Sequence, residues 1–94
     1  MTELDNILSI KQGVSDRLRN ARKSIKMSQG VLSQRSGVSL GSIKRFERTG
    51  EISLSSLLKL AMALGYENDF NNLFTRKNYQ SIFDVVNEGG KNAK

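Results

Sequence analysis

Apolar residues recur along this chain at helical spacing, and the runs are punctuated by serine and glycine. Val14, Leu18, Ala21 and Ile25 fall at i, i+4, i+7 and i+11, which lays one apolar stripe along a helix. Upstream, Leu4, Ile7, Leu8 and Lys11 share a helical spacing of their own. That segment is either a short amphipathic helix or the start of a longer first helix, with Gly13 where a break would fall. Ser15 is the candidate N-cap for the following stripe, and Asp16 lies near the positive end of its dipole. Ser28 is read as the cap of a second helix reaching about Ser36, with Val31 and Leu32 on its buried side. Gly37 supplies a left-handed residue for a sharp turn. Ser39 then caps a third helix from Leu40 to about Glu47, with Ile43 and Phe46 facing inward and Thr49-Gly50 at its end. Ser53 opens a fourth helix with a broad apolar face of Leu54, Leu57, Leu58, Ala61 and Leu64, stopped at Gly65. A fifth begins at Glu67 or Asn68 and carries Phe70, Leu73 and Phe74. After a polar connector, Ser81-Ile82-Phe83-Asp84 has the form of a capping box ahead of Val85 and Val86, which predicts a short sixth helix. No strand pattern is present, so the fold class read here is all-α.

Charge sharpens that picture. The 94 residues carry a formal charge of +6, unevenly spread. Residues 1–10 sum to −2, residues 11–50 to +8 and residues 51–94 to zero. A basic segment by itself is most simply a solvated face. Here it coincides with two short capped helices, as a phosphate-binding surface requires. There is no cysteine, hence no disulfide framework or thiolate metal site, and no histidine, the usual acid–base catalyst and metal ligand. Neither a cofactor nor a metal is called for, and nothing supports an enzyme: no phosphate-cradling glycine loop and no paired carboxylates. No apolar run is long enough to span a bilayer and no signal-peptide core is visible, so the expected location is cytoplasmic.

The spacing within residues 28–50 is the specific signal. Counting from Gln29, the fifth residue is the small Ser33, the ninth is Gly37, and the tenth, fifteenth and eighteenth are Val38, Ile43 and Phe46. A small residue, a turn glycine and three wedge-filling apolar side chains are what two closely crossing helices need. An ordinary helical hairpin would pack the same way, but would not account for the basic and polar residues on the exposed side.

Residues 14–64 resemble the lambda-repressor-like helix-turn-helix family, often called the Xre family. The likeness rests on Leu18 and Arg22, Ser28-Gln29, Gly37-Val38-Ser39, Ile43, Phe46-Glu47-Arg48, and Ser53-Leu54 with Leu57-Leu58-Lys59-Leu60-Ala61. It covers about half the chain. The resemblance implies a lambda-repressor-like DNA-binding domain of five helices, here with a short additional C-terminal helix. The expected organisation is an N-terminal, partly helical extension (1–13), the DNA-binding domain (14–75), a short helix for dimer or partner contact (76–88) and a disordered tail (89–94).

Within that frame the third helix enters the major groove of double-stranded DNA. Leu40, Gly41, Ser42, Lys44 and Arg45 point away from Ile43 and Phe46, so they face the duplex. Lys44 and Arg45 suit the two acceptors of guanine, with a phosphate contact nearly as good a reading for Lys44. Leu40 suits a thymine methyl. Gly41 allows close backbone approach where the family often has a polar residue. Gln29 and the free N–H groups of the second helix suit a phosphate. Ser28 and Ser39 cap first and touch phosphate second, and Arg48 and Thr49 grip the backbone across the groove. Lys26 and Arg35 are read as solvated. The family pattern further implies an ion pair between Arg22 and Glu47, with phosphate contact as an additional role open to Arg22. A homodimer on a palindromic operator is expected, acting as a repressor, with Ile82, Phe83, Val85 and Val86 as dimer or partner surface and Phe70 and Leu73 as core. The stretch Arg45 to Leu54 and the tail pattern Asp69-Phe70, Leu73-Phe74, Tyr79-Gln80-Ser81 are also similar to regulators encoded beside HipA-like kinase toxins. That likeness implies, as the alternative, an antitoxin that binds the toxin and represses its own operon.

Overall fold

Local capping chemistry sets where the helices begin. A computed structural model describes residues 2–76. These form α1 (Glu3–Ser24), α2 (Gln29–Ser36), α3 (Leu40–Thr49), α4 (Leu54–Leu64) and α5 (Glu67–Asn71), with no strand among the described residues. Ser28, Ser39 and Ser53 each accept the backbone N–H three residues on, at 3.0, 3.1 and 3.1 Å. Gly37, Gly50 and Gly65 close α2, α3 and α4 in the left-handed conformation. Gly50 is required twice over, because α1 also crosses directly above it. A Cβ there would sit 2.9 Å from Lys11 Cβ and 3.1 Å from its backbone carbon.

The core is formed by Met27, Leu32, Val38, Ile43, Phe46 and Leu60, so each of the first four helices or its adjoining turn contributes. Val14, Leu18, Val31, Ile52, Leu57 and Leu64 pack around it, partly buried. The α2–α3 turn is held by two serines: Ser33 Oγ donates to Val38 O at 2.6 Å, and Ser36 Oγ accepts from Val38 N at 3.1 Å.

Several expectations need correction. Of the two readings of the N-terminal segment the longer first helix holds: α1 runs through Gly13 without a break, and its N-cap is Thr2, which forms a reciprocal capping box with Asp5. Ser15 is therefore no cap; it is fully buried mid-helix, its hydroxyl donating to Gln12 O. Ile25 is 56% exposed, because the helix has ended and the chain has turned out of its register. On α4, Leu60 and Ala61 take the deep positions, while Leu54 is 65% exposed. Phe70 is half-buried, but Leu73 lies beyond the end of α5 and is 50% exposed, so it is not core. The expected sixth helix, the surface formed by Ile82, Phe83, Val85 and Val86, and the tail lie outside the described residues.

Candidate nucleic-acid interface

Position along α3 separates its residues into two sides. Ile43, Phe46 and Glu47 are buried, whereas Leu40, Gly41, Ser42, Lys44, Arg45 and Arg48 are exposed. Helical periodicity puts Gly41, Lys44, Arg45 and Arg48 on one continuous outward surface. None of the three cations forms an ion pair among the described residues, where the salt bridges are Arg22–Glu47 and Lys11–Glu51.

Glu47 fixes the orientation of that surface. Arg22 donates to it through Nε at 2.8 Å and Nη2 at 2.9 Å, a two-pronged contact between buried side chains. Arg22 Nη1 donates at 2.7 Å to Met27 O, in the turn that joins α1 to α2. All three nitrogens of Arg22 thus donate inside the protein, and one N–H each on Nη1 and Nη2 is not used by these bonds. Gln29 Nε2 donates to Glu47 Oε1 at 2.9 Å, so the first residue of α2 is tied to the same carboxylate. Burial alone would push the Glu47 carboxyl up; hydrogen bonds from Arg22 and Gln29, with the Arg22 and Arg19 charges, outweigh it and hold it below its ordinary value.

An open groove of about 480 Å³ lies over this network, lined by Arg19, Arg22, Gln29, Lys44, Glu47 and Arg48. It brings together residues of α1, α2 and α3. Arg19 was missed in the sequence reading. Its signal was available, since it lies three residues before Arg22 and so shares that helix face.

The hydroxyls differ in what they have left to offer. Ser28 Oγ accepts from Val31 N and keeps its own proton for an outside acceptor. Ser39 Oγ accepts from Ser42 N and donates to Ser42 Oγ, so Ser42 holds the remaining free proton. Thr49 Oγ1 is occupied on both counts, donating to Arg45 O at 2.7 Å and accepting from Glu51 N at 3.1 Å. It closes α3, leaving Arg48 as the member of that pair free to reach outward. Lys26 and Arg35 are exposed and line no part of the groove.

Two short capped helices, crossing through a glycine turn and presenting one cationic face, define a helix-turn-helix protein. Residues 18–68 match the HTH_3 helix-turn-helix family, and the chain belongs to that family. Its fold is thereby of the Xre, lambda-repressor-like type, and membership implies DNA binding in transcriptional regulation, a non-enzymatic role. No curated protein and no solved structure matches the chain. No helix among the described residues is long and apolar enough to cross a membrane.

Proposed function

We propose that the protein is a sequence-specific repressor that seats the N-terminal half of α3 in the major groove of a palindromic operator. The observation that carries this reading is the outward side of α3, where Lys44, Arg45 and Arg48 stand exposed and unpaired among the described residues. Arg45 lies opposite the buried residues and reads a guanine edge; Lys44 serves base or phosphate. Arg48, Arg19, the Ser28 hydroxyl and the free N–H groups opening α2 hold phosphates. Gln29 joins them through its second amide hydrogen, its first being given to Glu47. A dimer places two reading helices on half-sites about 10 base pairs apart.

Selection of bound duplexes from a random pool, with the mass of the complex measured alongside, tests this. The expected product is an inverted repeat bound by two chains. An enriched single half-site bound by one chain would refute the dimer, and no enrichment would refute sequence-specific reading. A second reading, an antitoxin for a HipA-like kinase, draws support from the end of the described chain. Leu73 is half-exposed and Phe74 is 94% exposed, apolar surface that a protein partner would cover. Co-purification of such a kinase, lost on Phe74→Ser, would favour it; purification of the kinase without this chain would exclude it.

A further inference from the structure

Among the described residues three glycines lie inside helices, and the fold accounts for them unequally. At Gly13 a Cβ would meet the end of the Arg17 guanidinium at 3.1 Å. At Gly30 it would touch only Ser28 Oγ, at 3.8 Å. At Gly41 it would meet nothing within 4 Å, and unlike Gly37 and Gly50 this residue has no positive φ. Glycine within a helix is less favourable than alanine. Nothing inside the protein thus calls for glycine at the second position of the reading helix.

The surroundings of Gly41 indicate the chemistry. Lys44 and Arg45 follow three and four residues on and share its face. Leu40, beside it, is 39% exposed, an apolar side chain on an otherwise cationic and polar surface. Gly41 leaves open space on the helix surface beside an exposed leucine, with Lys44 and Arg45 one turn further on. The major-groove edge of DNA has one apolar feature, the C5-methyl of thymine.

We infer that Gly41 is a specificity-determining residue: its bare Cα and the Leu40 side chain receive a thymine methyl while Lys44 and Arg45 engage the neighbouring acceptors. The inference rests on the placement of α3 in the major groove proposed above. A side chain at position 41 would hold the helix off the base pair, so the position selects by leaving room.

The test uses the full chain and a duplex it has selected from a random pool, replacing each thymine in turn by deoxyuridine, which removes the methyl alone. One thymine per half-site is expected to weaken wild-type binding about fourfold when replaced, the worth of one buried methyl. Gly41→Ala is expected to melt no lower than wild type, to bind the same duplex about tenfold or more weakly, and to become indifferent to that replacement. Leu40→Ala should likewise lose the dependence on the methyl. Undiminished binding by Gly41→Ala, or wild-type binding insensitive to every thymine, overturns the inference while leaving the groove placement standing. A wild-type chain that binds the selected and random duplexes equally removes the groove reading itself, and the inference with it.

Discussion

The two sides of α3 are held by different things. Inward, Ile43 and Phe46 are locked in the core and Glu47 secures both Arg22 and Gln29. Outward, Gly41 faces open space and the side chains of Lys44, Arg45 and Arg48 have no hydrogen bond or ion pair among the described residues. One ten-residue helix therefore carries positioning and recognition on separate residues. Changes on one side should move stability, and changes on the other should move DNA binding, with little crossover.

The largest effect is expected on the inward side. Glu47→Ala strands a buried guanidinium and should cost about 3–5 kcal/mol in urea unfolding. A loss below about 1 kcal/mol would mean that Arg22 reaches water when its partner is gone, and that the carboxylate does not fix α3. The same group sets an acid dependence. Its carboxyl lies below the ordinary value in the fold, so as pH falls the unfolded chain takes up the proton first. The contribution is full above about pH 4.3, where a free Glu titrates, and disappears as pH drops through the lower folded value. Glu47→Gln should flatten that acid limb; a limb of unchanged steepness would assign the loss to other groups.

Outward substitutions come next. Arg45→Ala should cost about 1–3 kcal/mol in binding and relax preference at one operator position, with unfolding unchanged. Equal weakening on every sequence would reassign Arg45 to phosphate. Arg48→Ala should weaken specific and random duplexes alike and lower the salt slope by about one unit. An unchanged slope would take Arg48 out of the contact set.

Least is expected from the other ion pair, Lys11–Glu51, which joins the middle of α1 to the residue after Gly50 at 2.5 Å. The hydrogen bond and charge of Lys11 hold the Glu51 carboxyl below its ordinary value, but the carboxyl is solvent-exposed. Lys11→Met should leave the melting temperature within the scatter of repeated runs, because an exposed pair gains little over hydration. A clear drop would show that charge, rather than the close crossing of α1 over Gly50, seats the first helix.

How far the sequence could be read depended on the range of the interaction. Ser28, Ser39, Ser53, Gly37 and Gly65 act on backbone a few residues away, and their helix limits were legible as local pattern. Ser15 misled because Ser-Asp before an apolar stripe looks like a cap. What carries the helix past Gly13 is the Thr2–Asp5 box, itself a readable signal, together with the distant fit of Lys11 over Gly50. α4 is leucine-rich on several sides, so sequence could not settle that Leu60 rather than Leu54 faces inward; packing against α2 and α1 does. At the interface, helical spacing gave the outward residues of α3. Arg19 was legible from its spacing to Arg22 on one helix face, whereas the attachment of Gln29 to Glu47 depends on how the helices meet, which no local pattern encodes.

The most direct measurement is a nuclear magnetic resonance titration of the isotope-labelled full chain with a duplex it has selected. Docking through the N-terminal half of α3 requires that backbone amides of Ser28 to Gly30 and Leu40 to Arg45 move most, while those of α5 stay near their free positions. Amides of α3 that stay fixed while α4 and α5 respond would contradict it.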